Sequence, residues 1–428
     1  MAAKLHFYET EGHNRFIEKA KYNINSHKFV GKFNRLIELG LIKNRNIASY
    51  LDKSNDTVII YNLMIATMFT DNDITPPERS TNMEVAIEKL ISEVPDVNKI
   101  IFEFSYIEYY NHVYHGILTK IMEKYPNIRW IVFSCNAQLI CDYPHRVFFW
   151  DDKPHSYCLT PDNLNFIQSM VSTTQFKKQN RFIFFNHHPK LTRWRVVKFI
   201  HENGFENLGK ISFPDLNIFP VNETAKMYNS DYEVEYMYNH PFSKKFPLLI
   251  DSMADDVVEK SDTDFIGMMR ERVENKQIFT LRQVGFHTSN LPLQISTYFE
   301  IFIETFFGVK DRTWVSEKTW KPLASFTPFC GINSEKYYPF LKESGFSFDN
   351  PIYFKDYENK IKHVDPYVEK EYVLYSFMNH IKKLCELTDD EMHSMYFSNF
   401  KETSHNTEHY HHRFVPTMTL KPFEFIAE

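Results

Sequence analysis

Glycine is scarce here, with 11 in 428 residues, and none falls into a GxGxxG or P-loop spacing. Without such a loop the backbone has no standard cradle for a dinucleotide or a nucleoside triphosphate, which argues against dehydrogenase and kinase readings. The five cysteines (Cys135, Cys141, Cys158, Cys330, Cys385) show no CxxC pair and no even framework, so reduced thiols are expected rather than a disulfide scaffold. No run approaches ~18 consecutive apolar residues, which excludes a helical membrane span, and the opening MAAKLHFYETEGHNRF lacks the apolar core of a signal peptide. A cytoplasmic protein is the expectation. The net charge of −6 offers no global attraction to nucleic acid or to anionic lipid.

What is present is globular. Hydrophobic residues make up 43% and charged residues 24%. The 40 Phe and 25 Tyr also fit the codon supply of an AT-rich genome, so that bias carries no functional weight. A chain of 428 residues exceeds the ~250–300 that one core sustains. The division expected is a first α/β lobe over residues 1–170, a second over 171–365, and a helical tail over 366–428.

Short apolar runs rich in β-branched and aromatic residues read as buried parallel strands: Thr57 to Tyr61, Lys99 to Phe104, Arg129 to Phe133 and Arg146 to Trp150. Helical periodicity between them, over Asn82 to Ser92 and Tyr109 to Tyr125, implies a sheet covered on both faces. The polar stretch Thr160 to Asn180 reads as a crossing between lobes. The pattern then restarts with a strand at Arg181 to Phe185, a helix from Pro189 to Glu202 and a strand at Gly209 to Phe213. Pro214 to Asn239 reads as irregular, and strands follow at Leu248 to Ile250 and Thr297 to Ile303. A helix opening at Ser316, a strand from Pro328 to Ile332, a helix from Tyr337 to Ser344 and two helices over Val368 to Phe400 complete the reading. Two parallel sheets facing a cleft bind ligands outside the carboxyl ends of their strands.

The chemistry concentrates between Thr297 and Phe346. The strand Thr297-Tyr-Phe-Glu-Ile-Phe-Ile ends at a carboxylate, Glu304, and a helix opens at Ser316-Glu317-Lys318-Thr319-Trp320-Lys321-Pro322. Ser316 is a good N-cap, so free N–H groups and a positive dipole end point towards an anion such as a diphosphate. Lys318 adds a full charge where a leaving diphosphate gains charge, and Glu317 suits vicinal ribose hydroxyls. Pro322 is expected to shorten this helix.

This ordered set resembles the C-terminal lobe of a group of phage-encoded and related glycosyltransferase-like proteins. It comprises Glu304-Thr305, the Ser316-to-Pro322 turn, Pro328-Phe329, and Leu341 to Gly345-Phe346. The core from Ser316 to Trp320 is also similar to the Glu-Lys motif of α1,3-fucosyltransferases, whose fold is the two-Rossmann-lobe GT-B arrangement. Asn186-His-His-Pro189 with Arg193, and His405-Asn406, match further patches of the phage group. After Gly345-Phe346 the pattern departs, with Asp349-Asn350-Pro351 in place of the usual acidic residues. The resemblance implies a GT-B-like α/β fold and a nucleotide-sugar donor bound by Glu317 and Lys318 without a metal or other cofactor, the donor itself being a co-substrate.

Other patches have competing readings. From Asn163 to His201 there is no acidic residue, while Lys177, Lys178, Arg181, Lys190, Arg193, Arg195 and Lys198 all occur. They form either a solvated helix face, a positive wall for the donor with Arg193 reaching inward, or a track for an anionic acceptor such as hydroxylated phage DNA. Asp262-Thr263-Asp264 reads as a solvated turn rather than a cation site, and His409, His411 and His412 as a surface tail. His405 and Asn406 read equally as a helix cap. For the general base that takes the acceptor hydroxyl's proton, Glu103 and Glu108 are the leading candidates, followed by Asp151 and Asp152.

The expected activity is sugar transfer from a nucleotide-diphosphate sugar to a hydroxyl acceptor. Its rivals are a non-catalytic glycan- or nucleotide-binding module, a virion structural protein with a decayed donor site, and another two-lobed nucleotide enzyme such as an epimerase.

Overall fold

The computed structural model describes residues 4–10, 19–21, 57–62, 76–104, 112–150, 154, 157–186, 190–213, 230–245, 291–304, 307, 313–355 and 366–427. They build two sheets. The first has six strands in the order β2-β1-β3-β4-β5-β6, namely β1 Lys4–Thr10, β2 Lys19–Lys21, β3 Thr57–Asn62, β4 Lys99–Glu103, β5 Arg129–Ser134 and β6 Val147–Phe149. All its pairings are parallel except β1 with the short edge strand β2. The second sheet is wholly parallel, in the order β10-β9-β7-β8: β7 Asn180–Phe185, β8 Gly209–Ser212, β9 Thr297–Ile303 and β10 Phe329–Ile332.

Period-two alternation sorts each strand between two cores. On the first sheet Ile59, Tyr61, Ile100 and Phe102 pack against helices α1 (Pro76–Glu93) and α2 (His112–Met122). On the second, Phe184, Phe299 and Ile301 pack against α5 (Leu191–Glu202). The opposite faces share one continuous cluster, in which Ile131 and Phe133 of the first sheet join Phe302 and Phe329 of the second. The bridging groups come from α8 (Glu317–Leu323), α9 (Tyr337–Glu343) and the last helix, α13 (Val415–Ala427). Phe423 of α13 meets the rings of Phe133 and Trp150 at 6.0 and 6.1 Å, so the end of the chain covers the first sheet.

The segment read as a polar crossing holds a helix, α4 (Pro161–Val171). Thr160 caps it by accepting from the Asn163 N–H, Pro161 sits in the first turn, and Leu164, Ile167 and Val171 bury one stripe. The region read as irregular contains α6 (Asp231–Asn239), opened by a capping box of Ser230 and Glu233. Leu248 to Ile250 lies outside the described residues. A five-residue helix, α7 (Leu291–Ile295), precedes β9. Between β5 and β6 lies α3 (Ala137–Asp142), capped by Asn136. Beyond β10 the chain runs through α10 (Pro366–Glu386), α11 (Asp389–Ser398) and α12 (Phe400–His409), then a π-helical turn, Tyr410–Phe414, that leads into α13. Among the described residues no helix is long and apolar enough to cross a membrane.

Candidate functional site

The carboxyl ends of the two sheets meet. Past β5, Asn136 forms an antiparallel bridge with Trp314. Its Oδ1 accepts from the Thr313 N–H at 3.2 Å, and the Ala137 N–H donates to the Thr313 carbonyl at 2.8 Å. On the other side the Asn333 amide past β10 donates to the Trp314 carbonyl at 2.5 Å.

Directly after this junction comes the turn that opens α8. Glu304, at the end of β9, is fully buried and directed into the protein rather than at an open rim. Its carboxylate accepts from the Ser316 N–H at 3.0 Å, the Ser316 hydroxyl at 2.6 Å and the Thr319 hydroxyl at 3.0 Å. Because Thr319 gives its proton to Glu304, the Tyr337 hydroxyl, 2.7 Å away, is left to donate to Thr319. Ser316 is the N-cap of α8, its Oγ accepting from the Lys318 N–H at 3.3 Å. Pro322 falls inside a helix of only 7 residues. The Ser316 N–H and the Lys318 N–H are thus both satisfied within the protein.

The clamp holds the neighbouring pair in place. Lys318 Nζ stands 3.0 Å from Glu317 Oε1 and 3.3 Å from Ser316 Oγ. The two side chains keep 16% and 22% of their surface accessible, in contrast to the closed Glu304. Glu300 is a group that sequence reasoning passed over. It lies four residues before Glu304 on the same face of β9, accepts from the Gln294 amide at 2.8 Å, and is raised by burial to about 7 although Lys321 and Lys318 pull it back. The signal was available as two acids at even spacing in a strand that is otherwise apolar apart from Thr297.

Asn186 and Arg193 converge on the same strand ends. Asn186, past β7, donates through its backbone N–H to Ser212 Oγ at 3.1 Å and through its amide to the Ser212 carbonyl at 3.0 Å. Its Oδ1 is buried with no hydrogen-bond partner among the described residues. Arg193 is buried and donates to the carbonyl of Ile303 at 3.0 Å, so it braces the end of β9 from below. Glu103 belongs to the other sheet and is wholly buried at the carboxyl end of β4. Glu108, Asp151, Asp152 and the Asp262 to Asp264 segment lie outside the described residues.

The basic run is neither an open wall nor a track. Lys178 is buried, donating to the Ile295 carbonyl at 2.9 Å with its ammonium 4.4 Å from the Tyr396 ring centre, and burial pushes its pKa well down. Arg181 donates to the carbonyls of Cys385 and Leu387, both at 2.6 Å, and reaches Asp389 at 2.5 Å. Arg195 pairs with Glu371, Lys198 with Glu202 and Lys177 with Asp390. Arg181 and Arg195 tie the second lobe to its C-terminal helices, whereas Lys198 pairs within α5 and Lys177 pairs at the surface.

The histidine-rich tail is not a loose surface either. His405 and Asn406 lie inside α12 rather than at its end, and His405 Nε2 stands 3.3 Å from the Gly345 carbonyl just past α9. The Asn406 amide clamps Ser347, accepting from its N–H at 2.8 Å and donating to its carbonyl at 2.6 Å. His411 is buried, accepts from the Leu159 N–H at 3.2 Å and contacts the Ala324 carbonyl at 3.0 Å, tying the inter-lobe segment to the end of α8.

No protein-family model matches the chain, and neither the curated proteins nor the solved structures give a match.

Proposed function

We propose that the chain is a glycosyltransferase of GT-B arrangement, which takes a sugar from a nucleotide-diphosphate donor held by the second lobe and passes it to a hydroxyl acceptor. The supporting observation is the Glu304 clamp. A buried carboxylate costs several kcal/mol to desolvate, yet here its oxygens accept all three hydrogen bonds from the single turn that presents Glu317 and Lys318. A helix start needs only its N-cap, so the clamp implies that the position of this pair matters.

In this reading Lys318 neutralises the departing diphosphate, and Glu317 receives ribose hydroxyls while steadying the ammonium. The unsatisfied Asn186 Oδ1 accepts from a hydroxyl or N–H of the donor. Arg193 acts through the end of β9 as a positioning residue. A DNA acceptor has lost its main support, because the cations that suggested it are engaged within the protein.

Thermal shift and donor turnover with UDP-, GDP- and dTDP-sugars, first without added metal and then with Mg²⁺ or Mn²⁺, test this. One donor should stabilise the protein, and Lys318→Ala should cut turnover about 100- to 1000-fold with partial recovery in Lys318→Arg. Unchanged turnover in Lys318→Ala would remove the proposed role. The complete burial of Glu103 favours a second reading, a non-catalytic donor-binding protein. Stoichiometric donor binding with neither transfer nor hydrolysis would select it.

A further inference from the structure

A cavity of about 310 Å³ opens at the junction of the two lobes, and none of the donor-site residues lines it. Its walls come from α3 and β6 of the first lobe, α9 of the second, and the π-helical turn with α13. Val147, Phe148, Phe149, Phe340, Phe414 and Met418 make an apolar lining. The volume is at the lower end of small-molecule pockets, ~300–1,000 Å³. Water gains little against such a lining, because a buried water needs two or more polar partners.

The charge at this cavity has one dominant sign. Arg413 and Lys421 are both exposed lining residues, and neither forms an ion pair among the described residues. Glu343 is the single acidic lining residue, and it lies against Cys141, with 3.7 Å between Glu343 Oε2 and the sulfur. The π-helical turn is an independent sign. Such turns are rare and concentrate at functional places, and this one supplies Arg413 and Phe414 to the cavity.

We propose that this cavity binds a small amphipathic anion, a carboxylate or phosphate monoester on an aliphatic or aromatic body. The body replaces water on the phenylalanine and methionine surfaces, and the anionic head meets Arg413 and Lys421. Since α3, α9 and α13 all contribute walls, an occupant fastens the two lobes and the last helix together.

Titration calorimetry on the full chain, with octanoate and phenyl phosphate as probes and octanol and phenol as their neutral counterparts, tests the proposal. Each anion should bind at one site per chain, at least about tenfold tighter than its neutral counterpart. The double variant Arg413→Glu with Lys421→Glu should lose at least about tenfold in affinity. Met418→Trp should abolish binding by filling the cavity, and Thr417→Trp, at an exposed lining position, serves if that core change disturbs folding. Equal binding of neutral probes, undiminished binding in both tryptophan variants, or no binding up to about 10 mM would each overturn it. No nucleotide enters the experiment, so its failure leaves the donor-site reading untouched.

Discussion

Strands β5 and β9 occupy corresponding places, one in each lobe, and are provisioned differently. In β5 the buried run Trp130 to Phe133 is wholly apolar, and polar residues stand only at its two ends, the half-buried Arg129 and the buried Ser134. In β9 all seven residues are buried, yet Thr297 and Glu300 are among them and Glu304 follows. Strand β5 is held mainly by packing. Strand β9 adds buried polar groups that each fix a particular neighbour, which is how a protein specifies a geometry beyond mere compactness. Extra polar groups in a core lower stability unless every one is satisfied, so the contrast marks the lobe where position matters more.

The largest test is Glu304→Ala. It strands the Ser316 N–H and the Ser316 and Thr319 hydroxyls, and urea denaturation should register a loss of about 3–4 kcal/mol. The matching change in the first lobe, Ser134→Ala, removes only the acceptor of the Asn136 N–H at 3.1 Å and should cost about 1 kcal/mol. Equal losses would break the comparison.

The pH dependence probes the tie between the lobes. Burial lowers His411 from 6.5 to about 4, so between those values the unfolded chain binds a proton that the folded protein refuses. Its contribution is intact above pH 6.5 and falls as the pH drops towards 4, by on the order of 3 kcal/mol. Urea midpoints at pH 7 and pH 5 should therefore differ, and His411→Gln should flatten the slope. An unchanged slope would mean that other groups carry the acid sensitivity.

Glycine gives the finest contrast. A Cβ at Gly331 would lie 2.4 Å from the Phe302 ring, so Gly331→Ala in β10 should destabilise by about 1–3 kcal/mol. Gly116, inside α2 of the first lobe, would meet nothing within 4 Å, and Gly116→Ala should stabilise by about 0.5–1 kcal/mol. Thermal melts of the two variants should shift in opposite directions.

Most strands from β3 onward were legible because a buried parallel strand must be almost continuously apolar, and the runs opening at Thr57, Lys99, Arg129, Arg181 and Thr297 are. The first strand, β1, was not read, since its alternating residues do not form such a run. Helix α4 was missed for its polar composition, although Thr160-Pro161-Asp162 is a helix-start signal. The placement of Glu304 after a strand and of Ser316 at a helix start followed from the strand and cap pattern, whereas Asn186 and Arg193 were suggested by the resemblance. Which way each side chain turns followed from neither. Arg193 meets a carbonyl 110 residues away and Arg181 two others more than 200 away, and local sequence carries no record of such partners. The histidine tail misled for the same reason, since His411 draws its role from Leu159, 252 residues earlier.

The return of α13 to the first sheet imposes an order on synthesis. Phe133 and Trp150 leave the ribosome early, but the ring that covers them, Phe423, comes more than 250 residues later. Until α13 arrives, α8 and α9 already meet Phe149 through Trp320 and Phe340, but Phe133 and Trp150 still lack the ring of Phe423. The patch around Phe133 and Trp150 is thus completed only once α13 has been made, and a chain lacking α13 leaves apolar surface open to aggregation.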